Sequence, residues 1–462
     1  MKGENGMVKR LIVFLLVAFL LVTVFAGCAA GKETEGSKEP AGEESSAKTT
    51  NETKNTTEEK SKDEKVTIKL MQYTSFGGQE KTLDAMLQEF MKRNPNIKVK
   101  YEVVGWRNYY QKLNMVRNSP NGPDVFELGY ENFMQYAPYE GVLTDLTDII
   151  KNDKDFKPEI FKKLAFDAFN IDGKQLGVCS NFSNVILYYN KDLFDANNVK
   201  YPDASWTWKD ELEAAKKITD PAKGILGTHA PIQFYEFYKT IAQNGGSIWS
   251  KDNKSVTINS KECVEALQWM LDKGYKYKVD ALPNDETWDQ ADHDLSQFVA
   301  GKLGMMRAGV WSLGRITESA KFNWDIALEP GNTQKAHHVF VDGLAVAGST
   351  KYPEAAWKLV KFLSSDPFVV KMKVEKGWGL SAVNDPESMA AFLKATPPSS
   401  KQVVIDALDY PVLPPVGPIP QRWNEFTALV GAELTNAKLG KKDAQTALND
   451  AKTGIEELLK EE

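Results

Sequence analysis

The apolar residues of this chain fall into three regimes. Lys9 and Arg10 precede an apolar run from Leu11 to Phe25, shorter than the roughly 20 residues that span a bilayer. Positive charge followed by a short apolar run is the shape of a secretory signal peptide, assigned here to residues 1–27. Between Ala29 and Lys65 the chain is mostly Gly, Ala, Ser, Thr, Glu, Lys and Asn and, apart from Pro40, has no apolar side chain larger than alanine. A segment of that kind has nothing to bury, so residues 28–65 are expected to form a disordered tether, with a root-mean-square span of roughly 35 Å.

From Val66 onward the pattern is that of a folded body. Val66 to Tyr73 (VTIKLMQY) reads as a strand, and Lys81 to Met91 places Leu83, Met86, Leu87 and Phe90 on one helical face that Asn94-Pro95 ends. Ile97 to Val104 (IKVKYEVV) alternates as a second strand, a helix is expected around Tyr109 to Arg117, and Asp124 to Leu128 makes a third strand. Strands alternating with helices at this spacing predict an α/β fold with a parallel sheet and right-handed crossovers. Ligands of such sheets sit beyond the carboxyl ends of the strands. Those ends are Tyr73-Thr-Ser-Phe-Gly-Gly78, Gly105-Trp-Arg-Asn108 and Gly129-Tyr-Glu-Asn132, each read as a turn carrying a ring and a polar group. Rings give sugars a stacking surface, and amides and carboxylates bond hydroxyls.

Further along, Thr207 and Asp210 in SWTWKDE form a helix-starting box with Asp in place of the usual Glu. Gly301 to Trp311 reads as a helix end, a short strand and a turn holding Trp311, and Ala355 to Leu363 reads as an amphipathic helix. The folded body is long enough for two domains at about 150 residues each.

Composition narrows the chemistry. The net charge of −6 gives no reason to expect nucleic acid. His229, His293, His337 and His338 show neither zinc nor nucleophile-partner spacing, so no metal and no cofactor are expected. Cys179 and Cys263 lack motif spacing and read as free buried thiols.

Ala26 and Gly27 followed by Cys28 resemble the lipobox at which bacterial lipoproteins are cleaved and acylated, although Phe25 stands where that family prefers Leu. The resemblance implies lipid on Cys28, residue one of the mature chain, holding it at the extracellular face of the cytoplasmic membrane, or in the periplasm if there is an outer membrane. Several acyl chains at about 0.8 kcal/mol per buried methylene would anchor it persistently.

PDVFELGYEN, GVCSNFSNVILYYNKDLF, SWTWKDELEAAKKITD, GKLGMMRAGVW and YPEAAWKLVKFLSSD are similar, in order, to the landmarks of bacterial extracellular solute-binding proteins, family 1. These are the sugar-capturing subunits of ATP-binding cassette importers, and the similarity runs from about Val66 to Leu459. It implies a two-lobed periplasmic-binding-protein-like fold of type II with the ligand cleft between the lobes. The family pattern divides the chain into 66–182 with 345–395 and 183–344 with 396–462. Crossings are expected near Phe182 to Val185, Val339 to Ala347 and Ala395 to Ser400.

Carried over by position, the resemblance implies ligand contacts from Ser75, Phe76, Glu131, Asn181, Ser183, Gln233, Tyr235 and Trp311. Asp342 stands where the family usually has glycine, and Trp378 and Trp423 are further candidates; Arg422 reads equally well as a surface cation. The implied partners are a carbohydrate ligand and transmembrane permease subunits, the protein acting as a monomer and not as an enzyme. Two other classes stay open: capture of a non-sugar solute, and a surface-anchored glycoside hydrolase, for which no spacing identifies a carboxylate pair about 5 to 10 Å apart.

Overall fold

The computed structural model describes residues 65–74, 79–119 and 121–461. The signal segment, Cys28, the tether, Ser75 and Phe76 lie outside the described residues. Ten strands are present among the described residues: β1 (Val66–Thr74), β2 (Ile97–Gly105), β3 (Val125–Gly129), β4 (Asn170–Ile171), β5 (Lys174–Gln175), β6 (Val178–Asn190), β7 (Met305–Gly309), β8 (Trp324–Ala327), β9 (His337–Val346) and β10 (Pro411–Val412). The main sheet runs β2-β1-β3-β9-β6-β7, with β10 on β9 and β8 on β6, and β4 and β5 form a separate small hairpin.

The first helix, Glu80–Arg93, buries Leu83, Met86, Leu87 and Phe90, the face that the spacing predicts. Glu80 in its first turn and Lys92 and Arg93 in its last complement the helix dipole, and the Asn94 N–H closes it on the Phe90 carbonyl. Burying a side chain such as Phe90 contributes roughly 1.5–3 kcal/mol. Parallel pairing holds for β1 with β2 and with β3. It does not hold throughout: β9 is antiparallel to both β3 and β6. The sheet is therefore mixed, because β9 returns from the distant part of the chain in the opposite direction.

The expected turns at Gly105 and Gly129 are also different. Each glycine ends its strand, and a helix starts at the next residue, Trp106–Val116 after β2 and Tyr130–Tyr136 after β3. Extended backbone at both glycines lets strand pass into helix without a loop (ψ 135° and 154°). Glu131 thereby sits in the first turn of a helix.

Strand β6 changes partners along its length. From Val178 to Asn184 it pairs with β9, and from Val185 onward with β7 and, through Leu187 to Asn190, with β8. One strand thus belongs to two sheet regions. The largest apolar cluster follows the sheet across this change, whereas a second, mostly helical cluster is built from residues 208–458 around Phe237, Leu267, Phe426 and Ile455. Helix Trp208–Ile218 begins at the expected box, with the Thr207 N–H donating to Asp210 Oδ2 at 2.8 Å.

Candidate functional site

Strand register builds the floor of the site. Asp342 of β9 is paired with Gly129 of β3 on one side and with Asn181 of β6 on the other. A bulge at Ser180 separates the Cys179–Gly343 pair from the Asn181–Asp342 pair, and such an extra residue re-aims the side chain that follows. Asn181 Nδ2 donates to Asp342 Oδ2 at 3.4 Å. Alternation along the two strands places Ser183 and Phe340, which pair with each other, on the same face as Asn181 and Asp342.

Glu131 faces this floor from the helix after β3. A methyl group on Gly129 would stand 3.4 Å from Glu131 Oε2 and 3.5 Å from Asp342 Oδ1. The two carboxylates therefore face each other across a bare backbone, at most about 7 Å apart. Tyr235, at the start of helix Phe234–Gln243, donates its hydroxyl to Glu131 Oε1 at 3.2 Å. Asn424 Nδ2, on helix Trp423–Lys438, donates to Gln135 Oε1 in the same helix after β3 at 3.1 Å.

Burial dominates the electrostatics. It pushes the Glu131 carboxyl up to about 7, with Asp342 adding to the rise and its own backbone N–H opposing it. Asp342 is raised to about 6 by burial, against hydrogen bonds from Tyr73 and Asn181. Beneath them Glu127 is raised by burial and Lys373 lowered by it, the two acting on each other. Lys373 spends its hydrogens on the Ser180 and Leu363 carbonyls at 2.7 and 3.0 Å. Tyr109 packs edge to face with both Tyr73 and Tyr110, and the Gly129 N–H donates to the Tyr110 hydroxyl at 3.0 Å.

The rings beside this floor are aromatic neighbours of its own strand. Trp311 lies in the turn after β7, edge to face with Phe340 at 5.5 Å, and Phe340 lies 6.2 Å from Tyr235. The Trp311 ring folds back over Gly309, where an added Cβ would sit 2.2 Å from ring carbons. Only glycine leaves room for it there.

The other expected residues are distributed unevenly. Trp378 is half-buried beside Lys373, and its neighbour Gly379 backs on Asn181, where a Cβ would meet Oδ1 at 2.4 Å. Gln233 is exposed at the cap position of the Tyr235 helix, and Ser183 is buried in β6. Trp423 is not in the cleft: it is 3% exposed and packs on Phe234 and Phe426 in the helical core. A helix start beside that core needs a large apolar side chain, and Trp423 supplies it. Asp342 fills the position where glycine was expected, and close approach occurs one residue later, at Gly343 against the Phe169 ring.

Phe340, Glu127 and Lys373 escape the sequence reading. The alternation in HHVFVDG places Phe340 on the Asp342 face, a signal that was available. Among the described residues no group of His, Cys, Asp and Glu has the arrangement of a metal site. Cys179 and Cys263 are free and buried.

Buried acceptors and a run of connected rings thus meet near the place where one strand serves two sheet regions. The profile of the bacterial extracellular solute-binding protein family matches residues 74–368. The chain belongs to that family. The substrate-binding protein Lmo0181 of Listeria monocytogenes, an ABC transporter component solved in complex with cycloalternan, is 40% identical and superposes with a TM-score of 0.79 over 85% of this chain and 98% of that one. The maltodextrin-binding protein MdxE of Bacillus subtilis is 26% identical over 74% of this chain and 78% of its own length. UgpB of Mycobacterium tuberculosis, solved with glycerophosphocholine, shares the fold at 19% identity and a TM-score of 0.72, over 85% of this chain and 98% of that one. As a family member the protein is an extracellular solute-binding protein with the two-lobed type II fold.

Proposed function

We propose that this protein captures a neutral saccharide between its lobes and presents the closed form to the permease of an ABC importer. One observation carries the reading: hydrogen-bond acceptors Glu131 and Asp342 gather beside the connected rings of Tyr235, Phe340 and Trp311. Sugar hydroxyls donate to the former and ring faces of the sugar lie on the latter. Asn181, Ser183, Gln233 and Trp378 line the same region in this account. Residues 66–182 with 345–395 make one lobe and 183–344 with 396–462 the other, hinged where β6 and β9 cross. Lipid on Cys28 and the tether keep the monomer at the outer face of the membrane. The kinship with a cycloalternan-bound protein makes that saccharide the first to try.

The same rings and carboxylates would also hold an alkylammonium group, so a cationic solute is the second reading. The carboxylate pair also falls within the separation used by glycosidases; release of reducing sugar would move the assignment to an enzyme. The test is a thermal-shift panel of saccharides, alkylamines and amino acids, in which a ligand at 100 times its dissociation constant adds about 2.7 kcal/mol. A shift confined to saccharides supports the reading, and one confined to amines replaces it.

A further inference from the structure

Strand register carries the floor beyond Glu131 and Asp342. Asn181 pairs with Asp342, and Asp342 with Gly129. On the other side of β3 the parallel register sets Met71 of β1 against Phe126, and three residues further along both strands it brings Thr74 level with Gly129. Thr74 in turn pairs with Gly105, the last residue of β2. Asn181, Asp342, Gly129, Thr74 and Gly105 thus form one row across five strands, about 19 Å long at four strand spacings of roughly 4.8 Å. The row runs two strands past Gly129, farther than a single sugar ring covers.

Trp106 stands at that far end. It opens helix Trp106–Val116 directly after Gly105, and Tyr110, four residues on, shares its face of the helix. Tyr110 is tied to the floor, because its hydroxyl accepts the Gly129 N–H at 3.0 Å and would lie 3.3 Å from a methyl on that glycine. Trp106 is therefore one helical turn, about 5.4 Å, nearer the carboxyl edge of the sheet than a side chain that already touches the floor. Tyr110 is half-buried, whereas Trp106 is 46% exposed, and among the described residues it packs on no other ring.

We propose that Trp106 is a further saccharide subsite, its ring stacking a sugar unit beyond the one held over Glu131 and Asp342. This rests on the saccharide-capture reading and deepens it by fixing a length: Gly105 lies about 10 Å from Gly129 along the row, so the unit on Trp106 is a different one, and the preferred ligand is an oligosaccharide.

Calorimetric titration of the protein with glucose, maltose, maltotriose, maltohexaose and cycloalternan tests this through one ratio, the affinity of the best-bound saccharide over that of glucose. In the wild type the ratio is expected to be at least about tenfold. Trp106→Ala lowers it about tenfold, and Trp106→Phe, which keeps a ring, restores most of it. Met115→Ala, 76% exposed on the same helix, keeps the wild-type ratio. The unfolding midpoint of unliganded Trp106→Ala stays near that of the wild type, since the side chain is exposed. A ratio near one in the wild type, or an unchanged ratio in Trp106→Ala, overturns the proposal. Binding of no saccharide by the wild type removes the saccharide reading itself, and the subsite with it.

Discussion

Tyr235 gives its phenolic hydrogen to Glu131 at 3.2 Å. The bond joins a helix packed in the second, helical core to the first turn of the helix after β3. In the proposed function this contact lies beside the solute. Tyr235→Phe removes it without changing the ring that packs on Phe340. A hydrogen bond to a charged acceptor contributes about 1.5–3 kcal/mol. Ligand affinity measured by calorimetry is expected to fall roughly tenfold or more, with the unfolding midpoint of the free protein little changed.

Trp311→Ala removes the largest of these connected rings, and about a tenfold loss of affinity is expected from lost stacking area. Gly309→Val tests how that ring is held. Its side chain would occupy the space of the folded-back indole, so the same affinity loss should appear with Trp311 still present, together with a shift in tryptophan emission. Unchanged binding in Gly309→Val would show that the ring's pose is unimportant.

Arg307 anchors β7, the strand that leads to Trp311. Its guanidinium grips Glu211 through two bonds of 3.0 and 2.6 Å and reaches Glu329 at 3.1 Å, while Lys239 joins Glu329 to Glu236, the residue after Tyr235. Removing one partner from a buried ion network leaves uncompensated charge and costs about 3–5 kcal/mol. Arg307→Met is expected to lower the urea midpoint accordingly.

The same network sets an acid limit. Burial pushes Glu211 up, but Arg307 and Lys273 outweigh it and hold the carboxyl at about 2. A carboxyl held below its unfolded value stabilises the fold above that value, near 4.3, and the contribution is lost as pH falls toward 2. Unfolding midpoints should therefore decline through that window in the wild type, and less steeply in Glu211→Gln.

Cys179 and Cys263 are buried, and burial raises both thiols, so the reactive thiolate is scarce. Mass mapping after alkylation should find both unmodified in the native protein and modified after denaturation. Native modification of Cys179 would mean that β6 opens.

The amphipathic face of the first helix, the Thr207–Asp210 box and the turn that carries Trp311 were legible because each depends on local spacing. The antiparallel run of β9, the bulge at Ser180 and the sharing of Asp342 by Gly129 and Asn181 were not. They are products of strands more than 150 residues apart in sequence meeting in register. Trp423 shows the limit from the other side, since a tryptophan suited to a cleft looks the same in sequence as one that fills a helical core.

The central claim, capture of a neutral saccharide against Glu131, Asp342 and Trp311, is tested most directly by a calorimetric titration with cycloalternan and linear oligosaccharides. The account predicts saturable one-to-one binding to the wild type, roughly tenfold weaker in Trp311→Ala. No heat with any saccharide, or equal affinity in that variant, would contradict it.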